Sequence, residues 1–140
     1  MSATAGSADE VRTLLDRLGL KPDHVIMEQG YDTDIDAPLR DAMQQYVGEF
    51  VAEDSYEIAD IVVLWWRDDD GDLVDALMDA RVQLADNGVV LLLTLKPGRE
   101  GHVESVEVAE AAPTTGLQGT SSVNAGEDWV ATRLVAPGNL

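Results

Sequence analysis

Four aspartates that closely follow an apolar segment are the residues most suited to chemistry in this sequence. Residues 61–66 are all apolar, and Arg67 separates them from an acidic cluster at residues 68–72. Several carboxylates on one flexible loop could bind Mg²⁺ or Ca²⁺. The calcium-loop pattern fails, because placing Gly71 at its sixth position puts Trp66, which has no side-chain oxygen, at the first. Aspartates at a helix start also stabilise the helix dipole, so we interpret the cluster as a helix cap and predict no metal site.

A second acidic cluster, at residues 32–36, has acids at alternate positions, as a calcium loop does. Here Ala37 stands where that loop needs glycine, and Met43 stands where it needs a bidentate glutamate. The cluster lies between a predicted strand and a predicted helix. We therefore predict that these acids cap the helix, with contact to a ligand as the alternative.

Groups for nucleophilic or zinc chemistry are scarce. The sequence has no cysteine, its histidines are His24 and His102, and it contains no Gly-x-Ser-x-Gly motif. These features exclude thiolate catalysis and give no sign of a catalytic triad. Residues 96–99 form a small basic island close to His102, which could receive an anion or simply form a solvated loop.

The overall charge limits the partners that this protein can have. With 27 acidic and 9 basic residues, the net charge is -18. Such a charge repels the phosphates of nucleic acids, so we expect no direct binding to them. It favours encounters with a basic partner by electrostatic steering, although solubility alone would explain it as well. An acidic decoy, which occupies the nucleic-acid site of a basic protein, is a further hypothesis.

Length and hydropathy predict a soluble, cytoplasmic protein with one hydrophobic core. The 140 residues suit a single domain, which we expect to cover residues 7–136, with a disordered start at residues 1–6 and a loose tail at residues 137–140. No segment has the roughly 18 uninterrupted apolar residues of a membrane span. The first residues also lack the basic start and apolar stretch of a signal peptide.

The order of predicted helices and strands indicates an α/β fold with three layers. Segments with helical spacing of apolar residues alternate with short, continuously apolar segments, which is typical of a parallel sheet covered on both faces. The last two strands meet at a turn over residues 124–128, so we predict an antiparallel hairpin at the end of a mostly parallel sheet. The predicted helices cover residues 7–18, 35–47, 72–86 and 105–112, and the predicted strands cover residues 24–28, 49–52, 58–66, 89–95, 118–123 and 129–135.

Two adjacent tryptophans, Trp65 and Trp66, end the central predicted strand. Successive strand residues point to opposite faces of a sheet, so the two rings cannot line the same pocket. We predict that both pack in the core, and that Trp129 on the hairpin does so too. Stacking on a ligand or anchoring a partner is the alternative use of such rings.

The sequence resembles two known groups of proteins. The order of its elements, with the late antiparallel hairpin, resembles a shortened S-adenosylmethionine-dependent methyltransferase core, which implies a Rossmann-like domain. Residues 18–22, 64–72, 95–104 and 125–135 further resemble an uncharacterised actinobacterial family that is catalogued as a domain of unknown function. This second resemblance covers nearly the whole chain and implies no activity.

The methyltransferase resemblance implies where a cofactor would bind. Such enzymes place a glycine-rich loop after the first strand, so that the backbone can approach the cofactor, and an acid after the second strand, which binds the ribose. Here the loop has a single glycine, and Tyr31 stands where a small residue would be expected. We therefore predict that no cofactor binds. The residues at the corresponding positions are Glu28, Gly30 and Asp32 in the loop and Glu53, with Asp54 as the alternative, for the ribose.

These observations together predict a non-catalytic binding or regulatory module that contacts a protein partner through the carboxyl edge of its sheet. The charge favours a basic partner. The alternative is a small enzyme or sensor that binds S-adenosylmethionine or a nucleotide at the same edge. The residues that we expect to contact a partner are Tyr31, Trp66, Asp68, Lys96 and Arg99.

Overall fold

A six-stranded sheet with two helices on each face forms the centre of the molecule. The computed structural model describes residues 8–52 and 57–136, so both predicted loose ends, at residues 1–6 and 137–140, lie outside the described residues. The strand order is β2-β1-β3-β4-β6-β5, where the elements are α1 (Ala8–Arg17), β1 (Val25–Gln29), α2 (Ala37–Tyr46), β2 (Glu49–Ala52), β3 (Ala59–Trp66), α3 (Leu73–Val82), β4 (Leu84–Leu95), α4 (Ser105–Thr114), β5 (Gln118–Asn124) and β6 (Trp129–Val135).

The sheet changes from parallel to antiparallel between β4 and β6. Strands β2, β1, β3 and β4 pair in parallel, whereas β6 pairs antiparallel with both β4 and β5. The central strands β3 and β4 are buried over long apolar stretches, as a parallel sheet covered on both faces requires. The predicted α/β architecture, with a mostly parallel sheet and a C-terminal hairpin, is confirmed.

Two hydrophobic cores lie on opposite faces of the sheet. One core joins α1 and α2 to the face that carries Trp65 and Trp129, and the other joins α3 and α4 to the face that carries Trp66. All three rings are buried, with 0, 1 and 7% of Trp65, Trp129 and Trp66 exposed. The prediction that all three tryptophans pack in the core is therefore confirmed. Trp65 and Trp66 lie on opposite faces of the sheet, as expected for successive residues of β3.

The connections place a crevice at the carboxyl ends of β1 and β3. From β1 the chain crosses one face of the sheet through α2 to β2, whereas from β3 it crosses the other face through α3 to β4. The loops after these two neighbouring strands therefore diverge. In open α/β sheets, ligands bind in the crevice that such a divergence creates.

The boundary between α3 and β4 differs from the sequence prediction. We expected a helix to residue 86 and a strand from residue 89, but α3 ends at Val82 and β4 begins at Leu84. Leu84 pairs with Ala59 of β3. The N–H of Ala59 donates to the carbonyl of Gln83 at 2.8 Å. Pairing across the sheet thus overrides the helical pattern at the end of α3, where Met78 and Val82 are exposed.

Helix α4 continues beyond residue 112, where the sequence prediction ended it, ahead of Pro113. It continues to Thr114, with Pro113 in its last turn. The N–H of Thr115 closes that turn by donating to the carbonyls of Ala111 and Ala112, at 3.3 and 3.1 Å. None of the helices in the described residues is long and apolar enough to cross a membrane.

Candidate functional site

The crevice between β1 and β3 is closed at its base by contact between the two strands. Gly30, which follows β1, has a φ of +80°, and a Cβ added to it would lie 2.2 Å from the carbonyl oxygen of Trp65. No side chain fits in so small a space. The glycine is therefore required by the close approach of β3, whereas a glycine-rich cofactor loop needs it for the approach of a ligand.

The side chain of Arg67 lies across this crevice and is only 10% exposed. Its Nη1 donates to the carbonyl oxygens of Gly30 at 2.7 Å and Trp65 at 3.2 Å. Its Nε donates to Asp34 Oδ2 at 3.0 Å, and its Nη2 donates to Asp34 Oδ1. A second carboxylate, that of Asp70, lies 3.4 Å from Nη1. One guanidinium thus joins the ends of both strands to the loop that precedes α2.

The charges in this cluster stabilise one another. Burial acts to lower the pKa of the Arg67 guanidinium, but the hydrogen bonds and negative charges of Asp34 and Asp70 outweigh it and raise that pKa above its ordinary value. The hydrogen bonds from Arg67 hold the pKa of Asp34 below its usual range. Both groups are therefore ionised at neutral pH, and neither is suited to exchange a proton with a substrate.

Glu28, one of the residues that we predicted for cofactor binding, is 6% exposed, and both of its carboxylate oxygens accept hydrogen bonds from the chain itself. Its two carboxylate oxygens accept from Arg40 Nε at 2.9 and 2.7 Å, and Oε2 also accepts from Trp65 Nε1 at 3.0 Å. The hydrogen bond to Glu28 raises the pKa of the Arg40 guanidinium. The Arg40 guanidinium also lies over the ring of Tyr31, 4.9 Å from its centroid.

The C-terminal hairpin is tied to the same crevice. Trp129 Nε1 donates to the carbonyl of Asp34 at 3.2 Å, and the Arg67 guanidinium lies 5.4 Å from the centroid of the Trp129 ring. The rings of Trp65 and Trp129 pack edge to face, with 5.0 Å between their centroids. Hairpin, crevice and core are therefore one continuous cluster.

A shallow groove of about 350 Å³ lies beside the crevice, on the face of α3. Four of the predicted contact or cofactor residues line it: Gly30, Tyr31, Asp32 and Trp66. Asp70 and Asp79 line it as well, so three aspartates and the already paired Arg67 supply the charge among the described lining residues. Tyr31 is 58% exposed, whereas the buried Trp66 offers a partner almost no surface.

The remaining predicted site residues lie elsewhere. Asp68 is exposed and follows Arg67 in the sequence, but it is not among the residues that line the groove, and its N–H donates to the carbonyl of Gly101 at 2.9 Å. Lys96 and Arg99 hold the turn of the C-terminal hairpin: Lys96 Nζ donates to the carbonyl of Gly126 at 3.1 Å, and Arg99 Nε donates to Asp128 at 2.9 Å. The basic island therefore binds acceptors of its own chain. Glu53 and Asp54 lie outside the described residues.

Both acidic clusters cap helices, as predicted. Asp72 accepts from the N–H groups of Val74 and Asp75 at the start of α3, and Asp36 accepts from Leu39 N at the start of α2. In the part of the chain that the structure describes, no three His, Asp or Glu side chains converge as a metal site would require.

Sequence analysis missed the central residue of the crevice, Arg67, and its ion pair with Asp34, and it missed Arg40, which pairs with Glu28. The available signal was weak: Arg67 is the one basic residue in the segment from residue 59 to residue 75. A single basic residue between a buried strand and an acidic cluster could have been recognised as one member of an ion pair within the chain. The identity of its partner could not, because Asp34 is 33 positions away in the sequence.

The fold is similar to those of methyltransferase structures. A SAM-dependent methyltransferase from Aquifex aeolicus matches with a TM-score of 0.72 and 10% sequence identity over 91% of this chain and 89% of that one. Precorrin-6Y C5,15-methyltransferase from Geobacter metallireducens matches with a TM-score of 0.62 and 11% identity over 99 and 94% of the two chains. At such low identity the likeness concerns the fold, which is Rossmann-like.

Sequence relatives are much closer. Uncharacterized proteins of Mycobacterium tuberculosis and Mycobacterium bovis are 49% identical over 136 residues, which cover 96% of this chain and 85% of those proteins. The model of a family described as "protein of unknown function (DUF3052)" matches residues 15–138. The chain therefore belongs to the DUF3052 family.

Proposed function

We propose that this protein is a non-catalytic binding module that contacts a basic protein partner through the carboxyl edge of its sheet. One observation carries the proposal: the crevice where a Rossmann-like fold binds its ligand holds the chain's own Arg67, bonded to Gly30, Trp65 and Asp34. A cofactor that entered there would have to break these bonds. It would also leave the carbonyls of two strand ends without their donor, which costs about 1 to 3 kcal/mol for each buried group.

The charge of the adjacent groove supports a basic partner. Asp32, Asp70 and Asp79 line it, and the exposed Asp68 is adjacent in the sequence to the lining residue Arg67. The positive charge of Arg67 is already opposed by two carboxylates, so the groove presents a negative surface. A lysine or arginine of a partner would find acceptors here, whereas the phosphates of a nucleotide would be repelled.

An exposed aromatic side chain lies at the rim of this surface. Tyr31 is 58% exposed and is held against the Arg40 guanidinium, which is itself fixed by Glu28. An aromatic ring that is held in place before binding loses little conformational entropy on contact, and such residues often carry much of the energy of an interface. We therefore expect Tyr31 and Asp68 to contribute most to partner binding.

A pair of charge-reversal variants tests this proposal. D68K changes the charge of the residue that follows Arg67, and D23K makes the same change at an exposed position just before β1, at the opposite end of the sheet. Wild type, D68K and D23K would each be immobilised and exposed to a lysate of the source organism at low and high salt. We expect a protein that binds wild type and D23K, is lost on D68K, and is weakened by salt. Recovery of nothing above background at low salt, or equal recovery on all three baits, would contradict the proposal.

A second candidate function is binding of S-adenosylmethionine or a nucleotide, as an enzyme or a sensor. The observation that favours it is the volume of the groove beside Gly30, about 350 Å³, which falls within the range of small-molecule sites. A thermal-shift screen with S-adenosylmethionine, S-adenosylhomocysteine and nucleotides distinguishes the two. A ligand at 100 times its dissociation constant would stabilise the fold by about 2.7 kcal/mol, which is readily measured. We expect no shift.

A further inference from the structure

The two edges of the sheet differ in how well they are protected from pairing with another strand. An edge strand presents unpaired N–H and C=O groups, and proteins usually blunt such edges with short strands or charged residues. The edge strand β2 has four residues and begins with the exposed Glu49. The other edge strand, β5, has seven residues, and none of them is charged.

The neutrality of β5 is unusual in this chain. The protein carries 27 acidic residues and a net charge of -18, yet the segment Gln118–Asn124 consists of glutamine, glycine, threonine, serine, valine and asparagine. Its side chains are mostly exposed, so burial in the monomer does not account for the absence of charge. A bulge at Thr120 interrupts its pairing with β6, and the ladder is regular from Ser121 to Asn124.

A groove of about 710 Å³ with few charged residues adjoins this strand. It lies between α4 and the face of the hairpin, with Val108 and Ala112 of α4 opposite Val130, Thr132 and Leu134 of β6. Hydroxyl groups border it on the β5 side, where Ser122 and Thr132 are hydrogen-bonded at 3.0 Å. Glu104 is the one carboxylate among the described residues that line it.

We propose that β5 and this groove form an interface between two copies of the chain. Two strongly acidic molecules repel each other wherever their charged surfaces meet, so a self-association surface must carry little charge, as this one does: β5 has no charged residue, and Glu104 is the one carboxylate among the described residues of the groove. Antiparallel pairing of β5 with its counterpart about a two-fold axis would satisfy the free backbone groups of both edges and bring the same surface of each copy together. Serine and threonine side chains then face one another across the pair, which is a favourable cross-strand arrangement.

Salt separates this interface from the one proposed at the carboxyl edge. Screening weakens the repulsion between two acidic copies, so self-association should become stronger as salt is added. Binding of a basic partner should become weaker. The two proposals rest on different surfaces and therefore can fail independently.

Sedimentation equilibrium of the full chain over a wide range of concentration and salt tests the interface. S121K places a positive charge on β5, and Q45K places the same charge on an exposed position of α2. If overall charge controlled association, both variants would dimerise more strongly than wild type because both reduce the net negative charge. We expect wild type and Q45K to form dimers and S121K to dimerise about tenfold more weakly, because like charges oppose each other across the paired strands.

A variant in the groove provides a second, independent check. A109E adds a carboxylate at an exposed position of α4 that lines the groove, and alanine to glutamate is well tolerated in a helix. We expect it to dimerise about tenfold more weakly than wild type, with an unchanged circular dichroism spectrum. A wild-type protein that is monomeric at every concentration, or that carries a small molecule in native mass spectra, would overturn the proposal. Dimers that survive both S121K and A109E would overturn it as well.

Discussion

The carboxyl ends of β1 and β3 and the free edge at β5 satisfy their polar groups in opposite ways. At the strand ends, charged groups bind one another: Arg67 joins Asp34 and Asp70, and Arg40 joins Glu28. At β5 the side chains are neutral and mostly exposed, and no other described strand pairs with its outer side. At the strand ends, the charged side chains are engaged in ion pairs within the chain. At β5, the exposed side chains and the outer backbone groups are available for contact with another molecule. The crevice at the ends of β1 and β3 therefore holds ion pairs of the chain itself.

The largest effect should come from removing the guanidinium in the crevice. R67A leaves the carbonyls of Gly30 and Trp65 without this donor and Asp34 without its partner. We expect the free energy of unfolding to fall by about 3 to 5 kcal/mol, mostly because of the two carbonyl groups, since the Asp34 carboxylate is nearly half exposed. The control is R99A, which removes a 42% exposed guanidinium from its pair with Asp128 and should cost less than about 1 kcal/mol. Urea denaturation measures both. If both variants lost the same free energy of unfolding, the ion pairs of the crevice would contribute no more to stability than the exposed pair of Arg99 and Asp128 does.

The next effect tests the contact between the strand ends. Gly30 and Gly98 have nearly the same backbone conformation, with φ of +80° and +87°, but a Cβ has open space only at Gly98. We expect G98A to cost about 1 kcal/mol from backbone strain alone. G30A should cost roughly 1 to 3 kcal/mol more, because its methyl group collides with the carbonyl of Trp65. Chemical denaturation of the two variants gives the difference directly. A G30A that is no less stable than G98A would mean that the crevice can open.

A smaller effect is expected from pH. The pKa of Asp34 is lowered in the folded state by its hydrogen bonds to Arg67, so this pair stabilises the fold above the ordinary aspartate pKa. That contribution is lost as pH falls below about 4 and through the folded-state pKa. The difference in unfolding free energy between wild type and D34N should therefore shrink on acidification. A difference that stays constant between neutral pH and pH 3 would contradict the assigned ion pair.

The smallest effect should be found at the neutral edge. S122A removes an exposed hydroxyl that bonds to Thr132, and we expect the unfolding free energy to change by less than about 0.5 kcal/mol at low protein concentration. Thermal denaturation of wild type and S122A side by side measures it. A loss comparable with that of R67A would mean that the hairpin face is held together as tightly as the crevice, and the contrast between the regions would disappear.

Local patterns predicted most of the fold, because the signals for strands, caps and turns lie within a few residues. The apolar segment that became β3, the caps Asp36 and Asp72, and the hairpin that ends in β6 were all recognised from neighbouring residues. The end of α3 was placed too late because Leu84 has a helical neighbour pattern but pairs with Ala59, 25 positions earlier.

The chemistry of the crevice could not be predicted in the same way. Glu28 and Gly30 were identified by position after the first strand, but their roles depend on Arg40, Trp65 and Arg67. The contacts from Glu28 and Gly30 to β3 and to Arg67 span 37 positions in the sequence. A single sequence offers no signal for such pairs, so a cofactor loop and an internal ion-pair cluster have the same local pattern here.

The Arg67 side chain offers the most direct test of whether the crevice is closed. Its Nε–H donates to Asp34 at 3.0 Å in a nearly buried position, so it should give a sharp NMR signal that exchanges slowly with water. We expect this signal and the amide of Gly30 to stay unchanged when S-adenosylmethionine, S-adenosylhomocysteine or nucleotides are added to saturation. A saturable shift of both signals, with faster exchange of the Arg67 Nε–H, would show instead that a ligand displaces the arginine and that the crevice is a binding site.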